Sequence, residues 1–322
     1  MFDQSITEVQ PQPIVFFGTP PFAAHCLEVL HQGGVRISGV VTAPDRPAGR
    51  GRKLNESPVK RYALEHGLPL AQPERLKSPE FLAQLRIWNP ALQVIVAFRM
   101  LPEVVWNFPP LGTINLHASL LPAYRGAAPI QWAIINGETQ TGLTTFRLRH
   151  EIDTGDMIGK RAVNIDPEAD AGALHDLLLK EGAPLLLEGV QQVLNGTAVF
   201  ETQIADLHTQ YPHAPKLRPE TGRIDWNMGA QKIHNLVRGL APSPGAHTLY
   251  RSEQMKILRT RRIEATPHLV AGQTTYIDGN WLVGCGDGLL VIEQVQAAGA
   301  RPMSAQDFLR GHPEMREVIW GT

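Results

Sequence analysis

Cysteine is scarce in this chain: Cys26 and Cys285 are the only two in 322 residues, and they lie far apart in apolar surroundings. Such a pair points to buried, reduced thiols, and it leaves a disulfide framework or a zinc site without support. No apolar run approaches the ~20 residues that a membrane-spanning helix needs, so no membrane partner is expected. Residues 1–12 are mostly polar and carry acids, without the basic stretch and apolar core of a secretory signal; the expected location is cytoplasmic. Formal net charge is only −1. No global field recruits nucleic acid, and an RNA contact has to come from a local basic patch. Internal repeats and low-complexity segments are also missing. So is the G-x-G-x-x-G fingerprint: the first strand ends at Gly18-Thr19-Pro20-Pro21, without the further glycines that let a dinucleotide pyrophosphate approach.

What is present is ordinary globular material, with 43% hydrophobic and 19% charged residues. A chain of this length favours two domains. Ile14-Val15-Phe16-Phe17, a glycine turn and a helical pattern over 22–30 open an α/β fold with a doubly wound, Rossmann-like sheet. A strand over 37–42 leads into a segment that holds Arg46, Arg50, Arg52 and Lys53 among prolines and glycines, with only Asp45 opposing them. Such a segment is either a solvated loop or a basic finger that engages phosphates. Ser57 is placed to cap a helix through His66, on which Lys60 and Arg61 extend the basic surface. Further helices are expected over 79–88, 127–136 and 171–194, with strands over 92–98, 142–148 and 162–165. The near-continuous apolar run 92–98 ends at Phe98, and Phe98, Arg99 and Met100 fall at the sheet's carboxyl edge, where such folds bind ligands. The pattern lapses around Tyr211-Pro212-His213-Ala214-Pro215. Accordingly, 1–205 reads as the first domain, 206–222 as a linker and 223–322 as a second domain. In the last part, short alternating runs with glycine turns suggest a small OB-like antiparallel β-barrel.

The most informative stretch is 113–130, T-I-N-L-H-A-S-L-L-P-A-Y-R-G-A-A-P-I. It begins as a β-branched strand and ends in a Pro/Gly-punctuated loop. Asn115 and His117 are two apart, so on a strand they share one face. An amide there can donate to a developing oxyanion, and an imidazole beside it can donate a hydrogen bond or move a proton near neutral pH. An isolated Asn-x-His pair is more often a structural hydrogen-bonded one. A second signal follows at His150-Glu151-Ile152-Asp153-Thr154-Gly155-Asp156-Met157. Asp-Thr-Gly also occurs in aspartic proteases, but no second copy is present and the flanks are α/β. A plain Asx-turn is the more serious alternative.

Taken together, N-L-H, S-L-L-P-A-Y-R-G-A-A-P-I, Asp153-Thr154-Gly155-Asp156-Met157, Ile224-Asp225-Trp226 and Met303-Ser304-Ala305-Gln306-Asp307 resemble the folate-dependent formyltransferases, in the branch that formylates methionine on initiator tRNA. The resemblance covers nearly the whole chain, and it implies a co-substrate, 10-formyltetrahydrofolate, and a partner, initiator methionyl-tRNA. It calls for no metal and no obligate protein partner. It implies a catalytic trio of Asn115, His117 and Asp153, and a folate site lined by Ser119, Leu120, Leu121 and Pro122 together with Phe98, Arg99 and Met100. It also implies a tRNA-binding segment carrying Arg46, Arg50, Arg52 and Lys53, with Arg46 the most sensitive, and a tRNA-holding second domain in which Arg259, Arg261 and Arg262 cluster. Two departures touch the pocket: Ala118 stands where some relatives have glycine, and Phe98-Arg99 where Tyr-Gly is common. Two other functions remain open. One is a folate enzyme that formylates a small amine, which needs no basic segment; the other is a noncatalytic RNA-binding protein that has kept the fold.

Overall fold

The computed structural model describes residues 12–48, 53–203, 211–251, 253–263 and 268–321. In chain order its first elements are β1 (Ile14–Gly18), α1 (Pro21–Gln32), β2 (Ile37–Val41), β3 (Arg46–Ala48), β4 (Lys53–Asn55), α2 (Pro58–Glu65), β5 (Leu70–Ala71), α3 (Pro79–Trp88), β6 (Leu92–Val96), α4 (Glu103–Trp106) and β7 (Thr113–His117). Then come β8 (Arg125–Gly126), α5 (Pro129–Ile135), β9 (Gln140–Arg147), β10 (Met157–Asn164) and the long α6 (Ala171–Leu194). The remainder is β11 (His213–Ala214), α7 (Ala230–Leu240), β12 (Ala246–Tyr250), β13 (Glu253–Ile263), β14 (Thr274–Ile277), β15 (Asn280–Cys285), β16 (Gly288–Ala297), β17 (Met303–Ser304) and α8 (Ala305–Gly311).

Seven strands form one sheet in the order β10-β9-β7-β6-β1-β2-β5. Those from β7 to β5 are parallel, and β9 runs antiparallel to β7. Ile14 to Phe17 are all 0% exposed, as a central parallel strand covered on both faces requires; this is why the run is continuously apolar. The chain leaves β1 toward β2 and β5, then returns to β6 and β7 on the other side. That reversal is the switch point where α/β sheets open a crevice at their carboxyl ends. Helix starts follow local chemistry: Ser57 and Ser78 each precede a proline, and their hydroxyls accept from the backbone N–H groups of Lys60 and Phe81.

The basic segment expected as a loop is rooted in a short antiparallel pair, in which Arg46 faces Asn55 and Ala48 faces Lys53. The strand expected over 162–165 starts earlier, at Met157. It is an edge strand with alternating burial, and its polar positions hid its length.

The described residues within 1–122, 142–161 and 178–209 form one compact unit, and those within 123–141, 162–177 and 210–322 form another. In the second unit the OB-like sheet is antiparallel, ordered β12-β13-β16-β15-β14 with β17 on β16. Register shifts on either side of Arg259 curl β13. Its core is built on tryptophan: Trp281 meets Trp320 edge-on at 5.0 Å and stacks on Phe308 at 5.9 Å, while the indole N–H of Trp226 donates to Thr248. Both cysteines are free and buried. Burial pushes the Cys26 thiol far up and the Cys285 thiol up to about 12, so neither is a thiolate near neutral pH. No helix among the described residues is long and apolar enough to cross a membrane, and no group of metal-binding side chains is found among them.

Candidate active site

β7 pairs with β6 as far as Asn115 opposite Ile95, then runs on with only β9 beside it, His117 lying opposite Thr144. The continuation carries the end of β7 past its neighbour, at the carboxyl edge. Alternation puts Ile114 and Leu116, 1% and 6% exposed, on one face and Asn115 and His117 on the other. Asn115 is half-buried and His117 is 7% exposed.

The chain after His117 is held from β9. The Thr144 hydroxyl donates to the Ser119 carbonyl at 2.7 Å and accepts from the Leu121 N–H at 3.1 Å. Thr144 is fully buried, so these bonds form where no water competes. Ser119 is likewise fully buried, and Leu121 packs with Phe146 and Met157. Of the four residues expected to line the folate site here, Leu120 and Pro122 are the half-exposed ones. The side chain of Leu121 lies in the core.

Asp153 comes from the turn between β9 and β10. Its carboxylate Oδ2 lies 3.9 Å from His117 Nδ1, with side-chain exposures of 14% and 8%. Residues thirty-six apart in sequence thus meet in a shielded place. The backbone of Asp153 has φ +55°, a left-handed conformation that aspartate tolerates but that costs free energy unless its surroundings impose it. Gly155 imposes part of it, because a Cβ there would fall 1.5 Å from the Arg147 carbonyl oxygen; only glycine lets the turn lie against β9. Gln203 adds to this from a distant segment, its side-chain amide donating to the carbonyls of Asp153 at 2.9 Å and Gly155 at 2.8 Å. Sequence reasoning missed both Thr144 and Gln203. A threonine in a buried strand looks like packing, and a glutamine before the linker carries no motif.

The other expected site residues are more dispersed. Phe98 packs edge-on against Phe17 at 5.7 Å, after Ala97 has turned the chain with φ +46°. The Arg99 guanidinium reaches the carbonyls of Pro73 and Glu74. Arg99 and the exposed Met100 line a surface depression with Arg75, Lys77 and Pro102. Ser119 to Pro122 are not among its lining residues. Arg46 is exposed on β3; Lys53 lies on β4; Arg50 and Arg52 fall outside the described residues.

Two expectations about basic surface need correction. Lys60 is not a spare cation, because it pairs with Asp45 at 2.5 Å and Glu56 at 2.7 Å. The bond to Lys60, then one from Gln72, holds the Asp45 carboxyl below its ordinary range. The root of the basic segment is therefore internally compensated. In the second unit Arg259 and Arg261 share Glu293, at 3.1 and 3.0 Å, and Arg262 donates to Gln231. The cluster is weaker as a phosphate attractor than three arginines suggest.

An amide and an imidazole on one strand face, with a carboxylate beside the imidazole, can stabilise an oxyanion and carry a proton. Comparison with known proteins agrees with an acyl-group transfer. Residues 12–190 match the family described as Formyl transferase, and 216–313 match Formyl transferase, C-terminal domain. A Bacteroides thetaiotaomicron protein named methionyl-tRNA formyltransferase is 47% identical over 307 residues, covering 92% of this chain and 95% of that protein. A Geobacter metallireducens protein of the same name is 46% identical over 300 residues, covering 92% and 95%. Among solved structures, WlaRD, a sugar 3N-formyl transferase, has a TM-score of 0.64 at 17% identity, covering 90% of this chain and 99% of that one. A HypX variant from Aquifex aeolicus has a TM-score of 0.65 at 17% identity, covering 94% of this chain and 48% of that one, and at such identity the likeness speaks for the fold alone. With both family regions matched and relatives near half identical along almost their whole length, the chain belongs to the formyl transferase family.

Proposed function

We propose that this protein transfers the formyl group of 10-formyltetrahydrofolate to the amino group of methionine on initiator methionyl-tRNA, in the cytoplasm, with Asn115, His117 and Asp153 as its catalytic residues. The observation that carries the chemistry is the approach of Asp153 to His117 beside Asn115. The acceptor follows from the name shared by the relatives at 42–47% identity.

Attack of the amine on the formyl carbon forms a C–N bond and places negative charge on the formyl oxygen. The Asn115 amide and the His117 imidazole supply donors to that oxygen, each worth about 2.7–4 kcal/mol in such roles. Collapse breaks the bond to the folate nitrogen, and the proton lost by the amine passes to that leaving nitrogen, with the Asp153–His117 pair as its carrier. At 3.9 Å the carboxylate oxygen and the ring nitrogen are within ion-pair distance. In this reading the folate is held along Ser119 to Pro122, through backbone groups and the side chains of Leu120 and Pro122, and near Phe98 to Met100. The segment with Arg46, Arg50, Arg52 and Lys53 and the domain over 223–322 meet the tRNA.

The test is incubation with methionyl-tRNA and 10-formyltetrahydrofolate, following N-formylmethionine, beside parallel reactions with free methionine, glycinamide ribonucleotide and an amino-sugar nucleotide. Formylation of methionyl-tRNA alone is the expected result. Formylation of a small amine in preference to it would reassign the acceptor, and no formyl transfer to any acceptor would overturn the chemistry.

A further inference from the structure

The turn that bears Asp153 is gripped by a segment far from it in sequence. Phe200 lies under the Arg147 guanidinium, 3.8 Å from it. Glu201 and Met157 exchange both backbone hydrogen bonds, at 2.7 and 2.9 Å. The Thr202 hydroxyl donates to Asp156 at 3.0 Å. Gln203, 8% exposed, directs its one amide nitrogen at two carbonyls, those of Asp153 and Gly155. An NH2 group has two hydrogens, and here each has an acceptor. The two carbonyls flank Thr154, so one side chain gathers the turn from both sides.

This grip matters because Asp153 holds a left-handed backbone and its carboxylate must meet an imidazole on another strand. A neutral amide suits the place. A lysine would set a competing cation beside the carboxylate, and a glutamate would face two carbonyl oxygens with no hydrogen to give them near neutral pH.

We infer that Gln203 is a positioning residue for the reaction: it acts through Asp153, holding that carboxylate on His117, and Phe200 to Gln203 form the strap that carries it. The inference rests on the catalytic reading above, and the experiment separates their failures. Gln203→Met keeps the volume and removes both donors. Its kcat for methionyl-tRNA formylation is expected to fall on the order of 10–100-fold, as displacement of a catalytic group by about 1 Å does, with both KM values within about twofold of wild type. Gln203→Asn, one methylene shorter but still a double donor, is expected to recover part of that loss, and it serves as the readout should the methionine variant fail to fold by circular dichroism.

The decisive measurement repeats Gln203→Met in an Asp153→Asn background under single-turnover conditions. If Gln203 works through the carboxylate, the second change costs no more than about twofold there. The same full loss in both backgrounds would show a structural role independent of Asp153 and overturn the inference, as would a rise in KM with kcat unchanged. A fully active Gln203→Met enzyme alongside a crippled Asp153→Asn enzyme sinks the strap and spares the catalytic trio. An Asp153→Asn enzyme with wild-type rate sinks both.

Discussion

Replacing Asp153 with asparagine removes one charge from a nearly isosteric side chain and leaves most else in place. Gln203 donates to the backbone carbonyl of residue 153, a bond the substitution leaves in place. Asparagine also tolerates the left-handed backbone. What changes is the interaction with His117 when the imidazole carries a proton in the transition state. Two unit charges 3.9 Å apart attract by about 4 kcal/mol at an effective dielectric constant of about 20. This bounds the loss at about a thousandfold in rate. Because the carboxylate is 14% and the imidazole 8% exposed, screening by salt is weak and most of that figure survives. The expected result is a kcat on the order of 100–1,000-fold below wild type, with KM for methionyl-tRNA and for 10-formyltetrahydrofolate little changed. Single-turnover formation of N-formylmethionine, quenched in acid and followed with labelled methionine, reads the step directly. A loss under about threefold would make Asp153 a bystander; a KM effect without a kcat effect would place it in binding.

Thr144→Val keeps the shape but removes the hydroxyl's bonds to the Ser119 carbonyl and the Leu121 N–H in a buried place, where a lost hydrogen bond costs about 1–3 kcal/mol. Urea unfolding is expected to show a lowered midpoint, with activity falling alongside it, and an unchanged midpoint would contradict the bracing role. Arg46→Ala, at an exposed position, is expected to weaken use of methionyl-tRNA and to reduce the salt dependence of its binding by about one phosphate contact; folate affinity stays the same, and an equal loss in both would mark the segment as structural. His234 is buried against Thr260, and burial lowers its pKa. Both states are neutral above the ordinary histidine value of about 6.5; as pH falls through that value the unfolded chain takes the proton first. Stability should therefore decline below about pH 6.5, by up to about 1.4 kcal/mol per pH unit from this group. His247, also lowered by burial, adds in the same direction, so His234→Gln is expected to flatten the decline in acid-unfolding curves without abolishing it.

The elements whose local chemistry is self-sufficient were readable in advance. A strand buried on both faces is apolar almost throughout, so Ile14 to Phe17 and, with Gln93 its one polar residue, Leu92 to Val96 announce themselves; Ser57 before a proline announces a helix start. The edge strand β10 was half-hidden, because its exposed positions, Lys160, Ala162 and Asn164, alternate with half-buried ones and break any apolar run. The hairpin at the root of the basic segment was missed because its strands are three residues each, and such a pair forms from cross-strand bonds that no local pattern records.

Strand periodicity alone put Asn115 and His117 on one face, since alternation is a property of a single extended segment. Which carboxylate meets that imidazole was another matter. The 3.9 Å approach of Asp153, the bracing by Thr144 and Gln203, and the pairing of Lys60 with Asp45 and of Arg259 and Arg261 with Glu293 join segments from about fifteen to fifty residues apart. The chain's own chemistry determined which segments are strands and helices and which face of β7 bears polar groups, because propensity and periodicity act within a few residues. Tertiary structure decided which charges are spent on one another and which group reaches His117, because Coulomb and hydrogen-bond energies depend on distance in space and fall away within a few ångströms.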